Sequence, residues 1–315
     1  MSPKKKPSIA VIVGGPAAEA EVSRVSGCGV ANALLATYKN VNVIELDEAI
    51  TEHLKEAHVD VVFPVLHGPP GEDGTIQGFL ETLAIPYVGS GVLASACAMD
   101  KTVAKQIFRA HGLPVARDTI VKRSEGTSGT ARRVLDLLGS DVVVKPSSQG
   151  SALGIQFARD LAGLEEALEQ AFSYDERALV EECIPGREIT VAILERDGTE
   201  ALPVIEIRTP PGSWYDYEHR YTPGLSEHII PAPLPEAQYR RTQEVGKLAH
   251  ESLLCRDLSR VDFVVPEQGE PIVLEVNTIP GMTPTSLYPD AARAVGLSFE
   301  ALVAHLIERA LSRSR

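Results

Sequence analysis

Acidic and amide side chains are concentrated in one segment near the end of the chain, RVDFVVPEQGEPIVLEVN, where two alternating apolar runs flank a Glu-Gln-Gly-Glu turn. This pattern is typical of a β-hairpin. If Pro266 faces Pro271, one face of the hairpin is wholly apolar, so the register is self-consistent. The expected pairs on that face are Val261 with Val276, Phe263 with Leu274, and Val265 with Ile272.

The other face of this hairpin carries the polar side chains that could bind a ligand. In the same register Asp262 lies opposite Glu275, and Asn277 points the same way beside Arg260. Two carboxylates that face each other across a ladder repel unless a cation lies between them. Oxygen ligands of these types suit Mg²⁺, which nucleotide phosphates usually complete. A solvent-facing hairpin with ordinary charges is the alternative, but the stiff loop TIPGMTPTS, in which Gly281 lets backbone N–H groups approach a ligand, favours a functional site.

A lysine followed by a glycine-bearing loop marks a second candidate site. Lys145 ends the apolar run VVVK and precedes a small, polar loop at residues 146–154. Backbone N–H groups in such a loop bind phosphate oxygens while a lysine supplies positive charge. Gly- and Ser-rich loops between strands are also ordinary turns, so the pattern alone leaves both interpretations open. The Walker A pattern G-x-x-x-x-G-K-[ST] does not occur in the sequence.

A weaker motif suggests a different nucleotide chemistry. GSGVLA, at residues 89–94, matches the relaxed dinucleotide fingerprint G-x-G-x-x-A. The fingerprint expects an acidic residue about 20 positions further on at a strand end, whereas this region is helix-like around Arg109. An NAD(P)-binding protein is therefore kept as the alternative from another class. The sequence has neither a G-x-S-x-G nor an H-E-x-x-H motif, which argues against the corresponding hydrolases.

The composition is that of an ordinary folded protein. Its 315 residues correspond to about two domains as a prior. With 44% hydrophobic and 23% charged residues, the chain differs from disordered and fibrous proteins. The formal net charge of −13 argues against nucleic acid and anionic membranes as partners. Four widely spaced cysteines and the absence of a long apolar run predict reduced thiols in a cytoplasmic chain.

Strand, loop and helix patterns alternate along the chain. A buried strand at residues 8–13 runs into Gly14-Gly15, and a helix follows at 19–35. A second strand at 59–66 ends at His67. Residues 123–130 and 209–226 are predicted as loops, and residues 161–172 as a helix. The chain ends in an amphipathic helix from about Phe299.

Seven segments, taken in order, resemble the D-alanine–D-alanine ligase family of the ATP-grasp superfamily, and they extend from Gly14 to Pro289. They are GGPAAEAEVS, HGPPGEDGTIQG, YVGSGVLASACAMDK, VVVKPSSQGSALG, YDYEHRYTPG, SRVDFVV and LEVNTIPGMTPTSLYP.

The resemblance implies an α/β N-terminal domain followed by an ATP-grasp pair of α+β domains. We expect an N-terminal substrate-side domain at residues 1–90, a central ATP-grasp subdomain with the phosphate loop at 91–182, and a C-terminal subdomain with the metal site and lid loop at 183–315. The implied reaction joins two D-alanines at the expense of ATP, through an acyl phosphate, for peptidoglycan synthesis. The implied partners are D-alanine, ATP, Mg²⁺ or Mn²⁺, as two ions, and a second copy in a homodimer.

The resemblance also implies a role for individual residues. Those matched to catalysis are Glu19, Ser151, Tyr221, Arg260, Gly281 and Ser286. Those matched to substrate binding are Glu19, His67, Ser286 and Leu287. Those matched to the nucleotide are Lys101, Lys145, Ser151, Glu181, Glu188 and Arg220. Those matched to the metal are Asp262, Glu275 and Asn277.

Two positions depart from the family pattern. Arg220 stands where the family usually has Lys, which keeps the charge but replaces a compact ammonium with a planar fork. Glu182 stands where many relatives have Lys. The alternative within the superfamily is a ligase whose second substrate is D-lactate or another D-amino acid, although Tyr221 argues against the ester-forming version because relatives specialised for D-lactate commonly lack it.

Overall fold

The computed structural model describes residues 7–222, 224–283 and 286–313, without the side chain of Tyr221. Its first unit is a parallel sheet of three strands in the order β2-β1-β3, covered by helices. Strand β1 is buried along its whole length because helices pack on both of its faces. The elements of this unit are β1 (Ser8–Val13), α1 (Ala20–Leu35), β2 (Asn40–Glu45), α2 (Ile50–Glu56), β3 (Val61–Pro64) and α3 (Thr75–Thr82).

The second unit is an antiparallel sheet of four strands in the order β4-β7-β5-β6. Two helices, α6 and α7, cover one face of it. Helix α6 begins inside the run 123–130 that was predicted as a loop, so that prediction was wrong. The elements of this stretch are α4 (Val92–Met99), α5 (Lys101–Ala110), β4 (Asp118–Lys122), α6 (Ser128–Leu138), β5 (Val142–Pro146), β6 (Gln156–Ala158), α7 (Leu161–Phe172) and β7 (Arg177–Glu182). Helices α4 and α5 pack in the apolar core of the larger sheet described next.

The third unit is a larger antiparallel sheet in the order β11-β10-β8-β12-β13, with β9 paired to β8. A short helix, α8, interrupts the segment 209–226 that was predicted as a continuous loop. The elements are β8 (Arg187–Glu195), β9 (Thr199–Ala201), β10 (Ile205–Arg208), α8 (Tyr217–Tyr221), β11 (Glu227–Ile229), α9 (Glu236–Ser252), β12 (Leu258–Val265), β13 (Ile272–Asn277), α10 (Leu287–Ala294) and α11 (Phe299–Arg313).

Helix α11 returns to the N-terminal unit, where it packs against α1 and β3 in one shared apolar core. A buried carboxylate, Asp257, reinforces this junction by accepting from the backbone N–H of Gly89 (2.8 Å) and from Arg313 (2.8 Å). The GSGVLA loop is thus held by the C-terminal part of the chain, and the Gly89 N–H that a dinucleotide phosphate would need is already bonded. This geometry disfavours the NAD(P) alternative.

The hairpin of β12 and β13 confirms half of the predicted register. Asp262 pairs with Glu275, as predicted. Beyond that pair the register shifts by one residue, so Phe263 pairs with Val273 and Val264 with Ile272. The predicted pairings of Phe263 with Leu274 and of Val265 with Ile272 were therefore wrong. A β-bulge places Leu274 outside the ladder.

Within the described residues, no helix is both long enough and apolar enough to span a bilayer.

Candidate functional site

A cavity of about 300 Å³ lies between the four-stranded sheet and the larger sheet. One part of its wall is apolar and is built from both sheets and from the segment that joins them. The other part carries charged side chains. The apolar lining includes Ala116, Val143, Ile155, Phe157, Ile184, Trp214 and Leu274, and the charged lining includes Lys101, Lys145, Glu181, Glu188, Arg220, Asp262 and Glu275. A ligand that joins a flat apolar group to a charged tail would fit a wall with one apolar and one charged part.

A buried carboxylate between two lysines organises one wall of the cavity. Glu181, on β7, forms ion pairs with Lys105 and Lys145, and all three side chains are at least nine-tenths buried. Lys105 also donates to the backbone oxygen of Ala116 (3.0 Å). Burial alone would raise the pKa of Glu181, but the two ammonium groups outweigh it and lower the pKa to about 2. The structure therefore fixes Lys145 as a charged group at the cavity wall.

The predicted metal-binding side chains are brought together on β12 and β13. Asp262 accepts from Arg260 Nε (2.8 Å) and Nη2 (2.7 Å), from Thr190 Oγ1 (2.6 Å) and from Asn277 Nδ2 (3.1 Å). Glu275, opposite Asp262 in the ladder, pairs with Lys101 Nζ at 3.2 Å. In the described chain no group of three or more His, Cys, Asp or Glu is arranged to hold a metal. The candidate set is instead two carboxylates and an amide oxygen.

Positive charge surrounds Glu275. Burial alone would raise the pKa of Glu275, but Lys101 and then Arg220 outweigh it and lower the pKa to about 2. The ion pair with Asp262 raises the pKa of the Arg260 guanidinium above its ordinary value, although burial alone would lower it. Its third nitrogen, Nη1, has no hydrogen-bond partner among the described residues, so it remains a donor that faces the site.

The loop that follows β5, predicted to bind phosphate, contains two non-glycine residues with a left-handed backbone. Ser151 and Ala152 have φ of 49° and 60°, a region that non-glycine residues rarely occupy. Asp175 holds the start of the loop by accepting from Ser148 N–H (2.9 Å), and Lys101 Nζ donates to Gln149 O (2.6 Å). The loop is therefore positioned from both sides, and its N–H groups adjoin the two predicted phosphate lysines.

The segment after β10 forms a cover over the cavity. Tyr215 N–H donates to Glu188 (3.3 Å), which fixes the base of the segment to β8. Arg220 donates to Tyr215 O (3.2 Å), and its guanidinium lies 4.8 Å from the centre of the Tyr215 ring. Burial raises the pKa of Glu188. The side chain of Tyr221 lies outside the described part of the structure, so its predicted role stays a prediction.

A smaller cavity of about 70 Å³ adjoins the first, and Tyr215 and Arg220 line both. Its wall brings together residues that were predicted for substrate binding, for catalysis and for metal binding. They are His67, Ser151, Arg260, Asn277, Gly281, Ser286 and Leu287. His67 is buried, and its Nε2 has no hydrogen-bond partner in the described part of the chain. Burial, and secondarily Arg260, lowers the pKa of His67 to about 4, so the imidazole is neutral at pH 7.

Two buried carboxylates lie beside the smaller cavity. Glu19, just before α1, is 3% exposed, and its oxygens lie within 3.6 Å of where a Cβ on Gly68 or Gly150 would be. Glu72 accepts from Gly68 N–H (2.8 Å). Burial raises the pKa of Glu72 to about 7 although that hydrogen bond lowers it. The Glu19 carboxylate therefore lies between the His67 loop and the phosphate loop.

Gly281 and Ser286 fit together closely at the start of α10. A Cβ on Gly281 would lie 2.8 Å from Ser286 Oγ, so only glycine fits without movement. Ser286 Oγ accepts from Thr283 N–H (3.0 Å) and precedes the first turn of α10, which begins at Leu287. Ser286 and Leu287 both line the smaller cavity.

Several residues of the site were missed by the sequence analysis. Lys105 lies one helical turn after Lys101, a spacing that could have indicated a second lysine on the same face of α5. Glu72 lies in the quoted segment HGPPGEDGTIQG, but no local pattern marks it as buried. Thr190 is an ordinary strand residue in the sequence, and its position depends on the pairing of β8 with β12, for which the sequence carries no local signal. Leu274 was predicted on the apolar face, and no signal in the sequence marks the bulge that brings it to the cavity.

Comparisons with known proteins are consistent with this arrangement. The family model described as D-ala D-ala ligase C-terminus matches residues 107–308, and the model described as D-ala D-ala ligase N-terminus matches residues 46–90. The chain is 46% identical over 309 residues to a D-alanine–D-alanine ligase of Pelotomaculum thermopropionicum, covering 96% of each chain. It is 44% identical over 310 residues to that of Desulforamulus reducens, covering 97% of this chain and 99% of the relative.

Solved structures agree with the sequence relatives. The structure of D-alanine–D-alanine ligase from Bacillus anthracis complexed with ATP superposes with a TM-score of 0.84 at 33% identity, and 98% of each chain is covered. The enzyme from Coxiella burnetii gives 0.82 at 31% identity, covering 98% of this chain and 96% of the other. The ATP-grasp fold predicted from the sequence is thereby confirmed. The chain belongs to the D-alanine–D-alanine ligase family.

Proposed function

We propose that the protein joins two D-alanine molecules to D-alanyl-D-alanine, with conversion of ATP to ADP and phosphate, for peptidoglycan synthesis. The carboxylate of one D-alanine takes the γ-phosphoryl group, and ADP leaves. The amine of the second D-alanine then attacks the acyl phosphate, loses a proton and expels phosphate. The observation that carries the proposal is the 46% identity over 309 residues to a ligase with this name, joined to two adjoining cavities that share Arg220.

The first D-alanine is proposed to bind in the smaller cavity. Glu19 would accept from its ammonium group, because a buried carboxylate is the natural partner of that charge. His67, neutral at pH 7, would offer a hydrogen-bonding nitrogen rather than a second positive charge. Its unpartnered Nε2 supports this, since a buried polar atom without a partner costs free energy until a ligand satisfies it.

The tetrahedral intermediate would be stabilised by donors that are already in place. Arg260 is fixed by its paired bonds to Asp262 and keeps Nη1 for the oxyanion. The backbone N–H of Gly281 would be the second donor. Fixed donors stabilise developing negative charge without reorganisation at the moment of reaction. Ser286 and the N–H of Leu287 would receive the carboxylate of the second D-alanine at the start of α10.

ATP is proposed to bind in the larger cavity, with its base in the apolar part. Lys101, Lys145 and Arg220 would contact phosphate oxygens. Glu188 would contact the ribose. The segment that begins at Glu181 would present backbone groups to the adenine, while the Glu181 side chain is already occupied by Lys105 and Lys145.

Asp262, Glu275 and Asn277 are proposed to hold divalent metal. Their donor chemistry fits, because two carboxylates and an amide oxygen on neighbouring strands are ligands that Mg²⁺ and Mn²⁺ accept, with phosphate oxygens to complete the shell. Two ions held by these residues would supply positive charge that neutralises the charge accumulating during phosphoryl transfer. Thr190 and Arg260 orient Asp262 before any ligand binds.

Ser151 and Tyr221 are proposed to connect the phosphate loop with the cover formed by the segment after β10. A closed cover would exclude water from an acyl phosphate, which hydrolyses readily. We also propose the three-domain division given above, a homodimer, and a cytoplasmic location.

The test measures phosphate release with ATP and Mg²⁺ in the presence of D-alanine, L-alanine or neither, with the product mass read in parallel. We expect ADP and a D-alanyl-D-alanine mass with D-alanine alone. D-lactate as a second acceptor tests the ester-forming alternative. Turnover with none of these substrates would refute the proposed substrate.

A further inference from the structure

We propose that Phe157 and Trp214 form a latch, a contact between the two walls of the larger cavity that holds the cover closed and strengthens ATP binding. The inference rests on the proposed function, because ATP is the ligand assigned to this cavity. The two rings meet edge to face, with centroids 5.4 Å apart and planes inclined by 72°. This is a favourable arrangement for an aromatic pair.

The two residues belong to different sheets. Phe157 lies in β6, the edge strand of the four-stranded sheet. Trp214 lies between β10 and α8, in the segment that extends from the larger sheet. Both line the cavity. Their contact therefore spans the opening between the two walls.

Packing in the apolar core of the four-stranded sheet does not explain the position of the Phe157 side chain. Phe157 pairs with Val143 on β5, which also lines the cavity. It is 48% exposed and is not among the residues that pack between this sheet and helices α6 and α7. A large aromatic side chain that is half exposed at a cavity rim, and contacts the opposite wall, is better explained by binding than by folding.

The base of the cover is fixed independently of the latch. Tyr215, next to Trp214, donates its N–H to Glu188, and Arg220 contacts the backbone oxygen and the ring of Tyr215. Loss of the Phe157 ring would therefore remove the contact between the cover and the four-stranded sheet, while the bonds of Tyr215 to Glu188 and Arg220 remain. We expect weaker ATP binding with little change in the chemical step.

The test uses Trp214 as its own reporter, because it is the only tryptophan in the chain. In Phe157→Ala we expect acrylamide to quench Trp214 fluorescence more strongly than in the unmodified protein. We also expect a KM for ATP about threefold to tenfold higher, from the usual strength of an aromatic pair. The kcat at saturating ATP should stay within about twofold. Phe157→Tyr keeps the ring and should restore both values.

Leu137→Ala is the matched control. Leu137 is 55% exposed on α6, against the same sheet, and does not line the cavity. We expect its quenching and ATP KM to equal those of the unmodified protein. Equal effects in Leu137→Ala and Phe157→Ala, or no effect in Phe157→Ala, would overturn the latch.

A fall in kcat at unchanged KM would also overturn the latch. Quenching is measured without D-alanine, so failure of the proposed function is seen separately. If the unmodified protein makes no dipeptide but Phe157→Ala shows the quenching change and weaker binding of ATP by direct titration, the latch stands and the substrate assignment fails.

Discussion

Replacement of Glu181 by Gln tests the charge balance at the wall of the larger cavity. The Glu181 carboxylate is 3% exposed and neutralises two ammonium groups, those of Lys105 and Lys145. Glu181→Gln keeps the size of the side chain but leaves Lys145 facing a neutral amide, while Lys105 retains only the longer ion pair with Asp118 at 3.7 Å. An uncompensated buried charge is strongly destabilising. The variant should therefore lose stability and weaken the positioning of Lys145.

The magnitude follows from the pKa of Glu181. Its fall from the ordinary value of 4.5 to about 2 corresponds to about 3 kcal/mol of stability at neutral pH. Because the pKa is depressed in the folded state, this stabilisation is complete above pH 4.5 and is lost as the pH falls toward 2, with about half remaining at pH 3. We expect the Tm of Glu181→Gln at pH 7 to be about 6 to 12 °C lower.

The assay is urea and thermal unfolding at pH 7, 4 and 3. Glu182→Gln is the control, because the neighbouring carboxylate pairs with Arg117, whose side chain is 64% exposed. Its loss should cost less than about 1 kcal/mol. We also expect a higher KM for ATP in Glu181→Gln alone. Equal stability of the two variants at pH 7, or a deficit in Glu181→Gln that does not shrink toward pH 3, would refute the reasoning.

Three further substitutions test the proposed roles. Glu275→Gln should lower turnover at least about a hundredfold with an unchanged circular dichroism spectrum, because it removes one of the charges proposed to bind metal. The assay measures dipeptide formation as a function of Mg²⁺ concentration, and full activity would contradict the assignment. Ser286→Ala should raise the KM of the second D-alanine about tenfold and spare that of ATP; equal changes for both substrates count against its role. Gly281→Ala places a Cβ 2.8 Å from Ser286 Oγ, so kcat should fall about tenfold while ATP still binds by calorimetry. Unaltered kcat would show that the contact is relieved at no cost.

Secondary structure with a strong periodicity was predictable from the sequence. The helix predicted at residues 161–172 occurs at Leu161–Phe172, and the strand predicted at 8–13 occurs at Ser8–Val13. Helix α6 was missed because its first turn, with Gly129 and Thr130, has low helix propensity. Its burial against the four-stranded sheet, which is a tertiary contact, stabilises the helix.

The charge partners within the site were not predictable. Lys105 and Glu181 are 76 residues apart in the sequence, and their contact requires α5 to lie over one edge of the four-stranded sheet. Lys101, on α5, and Glu275, on β13, are likewise far apart in the sequence. The hairpin pattern identified Glu275 from the sequence alone, whereas Lys101 and Glu181 were implied by the resemblance to the ligase family. Only the packing of the units determines which of them neutralise each other.

The extra residue at the bulge in β13 brings two adjacent side chains to the larger cavity. A strict alternation would place Leu274 and Val276 together on the core face, but the buried residues of this strand are Val273 and Val276, three positions apart. Val273 N–H donates to Pro114 O (2.9 Å), a contact from outside the hairpin that fixes the shifted register. As a result Leu274 and Glu275, although adjacent, both line the larger cavity. Leu274 and the carboxylate proposed as a metal ligand are therefore presented to one cavity by consecutive residues, an arrangement that a regular strand cannot provide.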